Sequence, residues 1–288
     1  KFLYKKIDKV SDEKNNSEIQ INNIKKNVDL KYHLYVVNNG RLYTDRINDT
    51  AVIIKNEVIE KVSFQFRVIN SRVYNANIRK NIVFSKGTPR IQKRINGSVL
   101  SLLTGGGGNN NYWHWLFDVI PRLAICQEII SLDKINLFLL PSNKNKFQKE
   151  TLDILKIYEN RQISSEDYRH IICDKLYITT HPVAISDDVT KDSQNIPTWV
   201  SKWLKKTFLT ESNKNFPKKI FIDRSDSTSN VNYLRTIQNE EEVKNYLSRI
   251  GFKIIRLGDY SFKDQVSIFN SADVIAGLHG AGFANIVF

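Results

Sequence analysis

The sequence predicts an α/β protein whose second half contains part of a doubly wound parallel sheet. Strand and helix patterns alternate from residue 111 onward, and the stretch from 219 to 277 contains strand, helix, strand, helix and strand in succession. Residues 32–103 instead show short runs of alternating polar and apolar side chains, with Asn39-Gly40 and Asn96-Gly97 as tight-turn signals. This first segment is therefore expected to be rich in β-strands.

We expect two domains. The first spans 1–195 and combines a β-rich part at 32–103 with an α/β part at 111–180, and the second spans 196–288. Residues 1–30 are polar and rich in Lys and Asn, which predicts a loosely packed lead-in. The stretch from His181 to Pro197 contains two prolines and a polar run, so we interpret it as an interdomain loop.

The net charge of +13 allows three kinds of partner: nucleic acid, an anionic membrane surface or a phosphate-bearing substrate. No helix-turn-helix, zinc finger or aromatic RNA-binding strand is recognisable, so we predict no nucleic-acid partner. No apolar run approaches the roughly 18–20 residues of a membrane span, and no secretory signal is visible. We expect a cytoplasmic protein whose basic surface could contact an anionic membrane. Cys126 and Cys173 lack CxxC spacing, which predicts two buried thiols.

A first candidate site lies in the segment Asn111–Arg122, directly after the glycine-rich stretch Gly105–Gly108. On a helix, His114, Asp118 and Arg122 are spaced i, i+4 and i+8 and share one face. A histidine and a carboxylate one turn apart suit general-base catalysis, because one can accept a proton while the other orients it. The alternative is a solvated polar face with a routine i, i+4 pair. Pro121 is expected to kink or shorten the helix.

A second candidate site is the small-residue loop from Gly277 to Asn285, which follows the strand DVIAG. Ligands of parallel sheets bind at the carboxyl ends of strands, where glycines let backbone N–H groups approach phosphate. His279 could donate to a diphosphate oxygen. The loop is neither GxGxxG nor a Walker loop, which disfavours dinucleotide and NTPase functions. The alternative is a turn whose glycines serve only packing.

Two further features precede that loop. Arg224 ends the strand KIFID and is followed by a polar loop to Arg235, so both arginines could neutralise a phosphate. Alternatively, they are solvated loop residues. Asn239 with Glu242 three residues later predicts a capping box at a helix start, and Glu240 belongs to the same acidic first turn.

Taken together, these segments resemble glycosyltransferase family 61. The stretches that carry the resemblance are NNNYWHWLFDVIPRL, IFIDRSDS, LRTIQNEEEV and FKDQVSIFNSADVIAGLHGAGFANIVF. The resemblance implies a GT-B fold, in which two Rossmann-like lobes face a central cleft. It also implies inverting transfer of a sugar from a UDP-sugar to a hydroxyl of an oligosaccharide or glycoprotein acceptor. Residues 1–100 match only in β-rich character, and relatives are expected to continue beyond Phe288.

The resemblance also assigns roles to residues. The catalytic pair would be Asp118 and His114, and we favour Asp118 as the base, with His114 orienting or replacing it. The donor would be bound by Arg224, Arg235, His279, Gly280, Ala281, Gly282 and Asn285, and the acceptor side would contain Asn111, Tyr112 and Arg122. No Asp-x-Asp triplet is present, so we predict a metal-independent enzyme with no cofactor besides the donor.

Family habit favours UDP carrying xylose or N-acetylglucosamine. The alternative function is a non-catalytic nucleotide- or glycan-binding module of the same fold. Such a module would keep the HGAG loop but show no turnover.

Overall fold

A computed structural model describes residues 3–26, 30–210, 215–225 and 236–288. The chain divides into two compact units, Lys1–Val200 and Ser201–Phe288. Each unit contains both helices and a sheet with parallel strands, which confirms the α/β class.

The strands are β1 Tyr4–Lys5, β2 Lys9–Val10, β3 Ile19–Lys25, β4 Lys31–Asn38, β5 Arg41–Thr44, β6 Asp49–Ile54, β7 Glu57–Val58, β8 Phe64–Ile69, β9 Arg72–Asn75, β10 Thr88–Pro89, β11 Lys93–Ser101, β12 Leu137–Leu140, β13 Gln162–Ser164, β14 His170–Thr179, β15 Lys219–Asp223, β16 Lys253–Arg256 and β17 Val274–Gly277. The helices are α1 Ile82–Ser85, α2 Tyr112–His114, α3 Pro121–Gln127, α4 Lys146–Ile154, α5 Val189–Ser193, α6 Thr198–Phe208, α7 Glu240–Arg249 and α8 Phe262–Ser271. A π-helical turn, Trp115–Val119, joins α2 to α3. Turns of 3-10 helix occupy Glu60–Val62, Ile78–Lys80, Leu132–Lys134, Glu159–Arg161, Leu257–Asp259 and Ala281–Val287.

The first unit is organised around four parallel strands in the order β13-β12-β11-β14. The α2–α3 segment connects β11 to β12, and α4 connects β12 to β13. On its other edge β14 is antiparallel, pairing with β5 through its first half and β4 through its second. Apolar side chains from these strands, including Val99, Leu139 and Leu176, form one buried cluster. The predicted strand–helix alternation thus produces a parallel layer extended by antiparallel strands.

The N-terminal segment is more ordered than its composition suggested. Strand β3 pairs antiparallel with β4 along its whole length, from Ile19 opposite Val37 to Lys25 opposite Lys31. Ile19 and Ile21 pack against the main apolar cluster, because alternate residues of a strand face the same side. The expectation of a loosely packed lead-in over residues 1–30 is therefore wrong for this part.

The stretch from His181 to Pro197 packs onto the first unit and is not an exposed linker. Val183 is 2% exposed. The backbone N–H of Asn75 donates to the Asp187 carbonyl at 2.9 Å, and that of Val73 donates to the Thr190 hydroxyl at 2.7 Å. These bonds attach the polar run to the edge of β9, which composition alone does not reveal.

The second unit contains three parallel strands in the order β16-β15-β17. Helix α7 leads from β15 toward β16, and α8 connects β16 to β17, as the sequence predicted. Its core includes Ile220, Ile222 and Ile255 from the strands with Ile268 and Phe269 from α8.

The starts of these two helices differ. Ser261 caps α8 by accepting a bond from the Asp264 N–H. Helix α7 begins directly after Asn239, but the side chain of Asn239 does not cap it. Its Nδ2 instead donates to the Glu242 carboxylate at 3.1 Å, so the predicted capping box is not formed.

Two predictions from composition can be compared with the fold. Cys126 and Cys173 are buried free thiols, as expected, and burial raises the pKa of each to about 12. Within the described ranges, no helix has the length and apolar character needed to cross a bilayer.

Candidate functional site

The first group of polar residues lies where two neighbouring parallel strands end. Strand β11 ends at Ser101 and leads through the glycine-rich stretch to α2, while β14 ends at Thr179 and leads to His181. Ser101 pairs with Ile178, so the two strands end side by side. Carboxyl ends of parallel strands are the usual place for ligand sites in α/β sheets.

The local fold of Asn111–Pro121 brings His114 and Asp118 together. The Asn111 side chain caps α2 by accepting from the N–H groups of Trp113 and His114 at 2.9 and 3.2 Å. A π-turn follows, closed by the Ile120 N–H and the Trp115 carbonyl at 3.1 Å. Pro121 then begins α3, where its missing N–H leaves no bond unmade. The distance from His114 Nδ1 to Asp118 Oδ2 is 2.6 Å.

The two partners differ in exposure. The His114 side chain is 40% exposed, whereas that of Asp118 is 8% exposed. Burial works to raise the pKa of Asp118, but His181, His114 and Arg122 outweigh it and bring the pKa below its ordinary value. Burial works to lower the pKa of His114, but the Asp118 carboxylate outweighs it and raises the pKa. A buried carboxylate is thus hydrogen-bonded to a histidine whose side chain is partly exposed to solvent. The alternative interpretation, a solvated polar face with a routine ion pair, would instead have both side chains in solvent.

His181 is a third member of the group, although the sequence predicts it within an interdomain loop. Its Nε2 lies 4.0 Å from Asp118 Oδ2, and the residue is 4% exposed. Its Nδ1 accepts bonds from the N–H groups of Val183 and Ala184 at 3.1 and 2.7 Å. Burial lowers the pKa of His181 to about 3, so the ring is neutral near pH 7. The sequence signal that could have indicated this role is the position of His181 two residues after β14, because sites in parallel sheets lie at the carboxyl ends of strands.

Arg122 lies beneath this group and has no exposed surface. Its Nε donates to the Asp118 carbonyl at 3.1 Å, and its guanidinium lies over the Phe64 ring at 5.0 Å. Its Nη1 and Nη2 have no hydrogen-bond partner among the described residues. Burial lowers the pKa of Arg122 to about 9, which leaves it charged at neutral pH. Arg122 is therefore not accessible to an acceptor in this conformation, and it places a positive charge behind Asp118.

The glycine-rich stretch before α2 is packed, not freely exposed. A Cβ on Gly107 would lie 3.2 Å from Cγ of His114, and one on Gly108 would lie 2.4 Å from Cγ2 of Val119. Gly107 thus lets the loop approach the His114 ring closely, and Gly108 lets it pack against Val119. Of the other two predicted acceptor-side residues, Asn111 serves as the helix cap and Tyr112 packs edge-on against Phe147.

In the second unit, the structure brings Arg224 and the loop after β17 together. Arg224 Nη1 donates to the His279 carbonyl at 2.9 Å. A Cβ on Gly280 would lie 3.0 Å from Nε of Arg224, so the absence of a side chain there allows the guanidinium to lie against the backbone. His279 and Ala281 are exposed. The loop enters a 3-10 helix of seven residues, Ala281–Val287.

A cavity of about 140 Å³ opens beside Arg224 at the ends of β15 and β17. It is lined by Phe221, Ile222, Arg224, Ser225, Thr236, Glu240 and Leu278. Glu240 lies in the first turn of α7, as predicted, and is also part of the cavity wall. Below the cavity, Asp223 forms an ion pair with Lys244 at 3.1 Å, which fixes the start of α7 against β15.

Three other predicted donor residues differ in placement. Asn285 is fully buried, and its Nδ2 donates to Gln265 Oε1 at 3.0 Å, so it ties the last turn to α8 and is not available to a donor in this conformation. A Cβ on Gly282 would lie 2.6 Å from Leu257, which is a packing constraint. Arg235 lies outside the described residues.

Within the described ranges, no group of three or more His, Cys, Asp or Glu side chains is placed to hold a metal ion.

Residues 112–288 match the family model described as Glycosyltransferase 61. The chain belongs to the glycosyltransferase 61 family. The match contains the His114–Asp118 pair and also the loop that contacts Arg224, so both groups of residues lie within the glycosyltransferase 61 region. No curated protein matches the chain. Family membership confirms the resemblance seen in the sequence and supports a glycosyltransferase that uses a sugar donor and a glycan acceptor.

Proposed function

We propose that the protein transfers a sugar from a UDP-sugar to a hydroxyl with inversion, and that His114 is the general base. The observation that carries this proposal is the bond between His114 and Asp118. It occupies Nδ1 of a histidine that is 40% exposed, so the other ring nitrogen, Nε2, can meet an acceptor hydroxyl. The carboxylate is buried and already bonded to His114, so we propose the reverse of the assignment favoured from the resemblance: His114 replaces Asp118 as the base, and Asp118 orients it.

In the proposed step, the acceptor oxygen attacks the anomeric carbon and its proton passes to Nε2 of His114. The bond between that carbon and the phosphate oxygen breaks, and its electron pair leaves with the diphosphate. Asp118 stabilises the imidazolium that forms, because its carboxylate accepts the Nδ1–H. A single displacement of this kind inverts the anomeric centre.

In the second unit, Arg224 and the exposed His279 would neutralise the leaving diphosphate. The positive charge of Arg224 and an N–H donor of His279 can supply this stabilisation without a metal ion, and we propose that the enzyme is metal-independent. The cavity next to Arg224 would receive the nucleoside, with the Glu240 carboxylate accepting bonds from its hydroxyls. The GT-B architecture, the UDP carrier, and xylose or N-acetylglucosamine as the sugar are parts of the same proposal.

A thermal-shift and turnover screen with nucleotide sugars tests the donor assignment. We expect UDP to raise the melting temperature of the intact chain, with and without chelator, and His279→Ala to abolish that shift. His33→Ala is the matched control, because it makes the same change in the first unit and should retain the shift. If UDP does not stabilise the wild-type protein, the donor assignment is wrong.

A second experiment tests the chemistry. His114→Gln should lower transfer by about 10²–10⁴-fold, the range supplied by a general base, while UDP affinity stays unchanged. NMR of the first-formed product should show the anomeric configuration opposite to that of the donor. Retained configuration would refute a single displacement. Donor binding without transfer to any acceptor would support the non-catalytic module instead.

A further inference from the structure

We propose that His181 is a positioning residue, whose Nε2–H is directed at the Asp118 carboxylate and holds it toward His114. The inference rests on the proposed function, because it assigns a role within that reaction. Its first support is the hydrogen bonding of the ring. Nδ1 of His181 accepts from two backbone N–H groups, at 3.1 and 2.7 Å, so the single proton of the neutral imidazole must be on Nε2.

The second support is the shared target of the two histidines. His114 Nδ1 and His181 Nε2 lie 2.6 and 4.0 Å from the same oxygen, Oδ2 of Asp118. At 4.0 Å the second contact is an interaction between an N–H dipole and a charge, longer than a hydrogen bond. Catalytic hydrogen bonds are often long in the absence of substrate and shorten in the reacting complex. We infer that this contact shortens when an acceptor occupies the site.

The third support is the rigid setting of the ring. His181 is held edge-on to Phe64 and Phe66 of β8, at centroid distances of 5.6 and 6.2 Å. The next carbonyl, that of Pro182, accepts a bond from the Tyr32 hydroxyl at 3.0 Å. The turn that carries His181 is therefore fixed on two sides.

The titratable groups that face His181 are Asp118, Arg122 and His114, and the rings of β8 add none. Burial holds the pKa of His181 at about 3. His181 therefore stays neutral near pH 7, and its Nε2–H acts as a fixed dipole. A donor fixed at Asp118 restricts rotation of the carboxylate and so keeps Oδ2 at His114, and this close carboxylate makes His114 a stronger base.

Two substitutions separate the functions of the two ring nitrogens. In His181→Asn, the side-chain oxygen can take the place of Nδ1 and still accept from Val183 and Ala184, but no donor reaches Asp118. In His181→Gln, the longer amide can place a donor near the position of Nε2. His170→Asn is the matched control, because His170 is a buried histidine at the other end of β14.

Enzyme kinetics give the first readout. A base must be unprotonated, so kcat/KM falls as pH drops through the pKa of His114. In His181→Asn, we expect this acid limb to move to lower pH and the plateau to fall about tenfold, less than the ~10²–10⁴-fold of losing the base itself. His181→Gln should restore both in part, and His170→Asn should change neither. A loss of plateau rate in His181→Asn with an unmoved acid limb would overturn the proposal.

NMR titration of the five histidines gives a second readout that does not depend on turnover. We expect wild-type His181 to carry its proton on Nε2 throughout, and the titration of His114 to move to lower pH in His181→Asn. A proton on Nδ1 of His181, or an unchanged His114 titration, would also overturn the proposal. If the expected shifts occur but the wild-type protein transfers no sugar, the positioning contact stands and the proposed function is refuted.

Discussion

Removal of the Asp118 carboxylate should destabilise the fold as well as the reaction. Arg122 is fully buried behind Asp118, and its two η nitrogens have no partner among the described residues. In Asp118→Ala the guanidinium would remain buried without a counter-charge. Arg122 and the Asp118 carboxylate form no direct ion pair, and the bond of Arg122 to the Asp118 backbone carbonyl survives the substitution. We therefore expect a cost of about 1–3 kcal/mol, below that of breaking a direct buried pair. For a chain of this size, that corresponds to a melting temperature lower by roughly 2–12 °C.

The matched variant is the double substitution Asp118→Ala with Arg122→Met, which removes both charges and replaces the arginine by an apolar side chain of similar length. Replacement of a buried ion pair by packed apolar residues is often neutral or stabilising. We therefore expect the double variant to melt close to the wild type while still lacking transferase activity. Urea and thermal unfolding of the intact chains at pH 7, followed by circular dichroism, provide the measurement.

The reasoning would be refuted if Asp118→Ala alone melted at the wild-type temperature. It would also be refuted if the double variant were less stable than Asp118→Ala, because the penalty would then arise from packing and not from charge. His114→Ala serves as a further control, since it leaves Asp118 and Arg122 facing each other.

Three further outcomes are expected. Burial lowers the pKa of His170 to about 4 and that of His181 to about 3, both below the ordinary value of 6.5. The unfolded chain therefore binds more protons than the folded one in this window. The stability that these two residues contribute is complete above about pH 6.5 and is lost as the pH falls toward 4 and 3. The melting temperature should fall across this window and fall less steeply in His170→Gln; an equal slope would contradict this. Gly280→Ala should displace Arg224 and weaken UDP binding about ten- to hundredfold by calorimetry, the size of a lost charged hydrogen bond; unchanged affinity would argue against Arg224 as a donor contact. Transfer should proceed equally with and without chelator, and activity restored only by a divalent cation would disprove metal independence.

The sequence was sufficient to predict those parts of the site that depend on local spacing. A separation of four residues on a helix predicts that His114 and Asp118 meet, and the structure places them in hydrogen-bond contact. The resemblance assigned Arg224 and His279 to one donor site, and the structure places Arg224 in hydrogen-bond contact with the His279 carbonyl.

Burial and long-range pairing could not be predicted in the same way. Periodicity assigned Arg122 to an exposed polar face, but the π-turn and the aromatic cover of Phe64 bury it. His181 joins Asp118 only because β11 and β14 pair in parallel, a contact between distant segments that no local pattern specifies. Asn285 illustrates a third limit, because its side chain bonds Gln265 inside the protein and is buried. The sequence motif alone does not show whether such a residue stabilises the loop or contacts a ligand.

The π-helical turn at Trp115–Val119 has a consequence for how this region can change in evolution. Such a turn is equivalent to one extra residue within an otherwise regular helix. Deleting a single residue from it would restore regular winding and change the spacing of His114 and Asp118 from i, i+4 to i, i+3. The 2.6 Å contact between His114 Nδ1 and Asp118 Oδ2 would then have to form with a different geometry, although both side chains had been kept. We expect chain length between Asn111 and Pro121 to be fixed among functional variants, even where the apolar identities in between are free to vary.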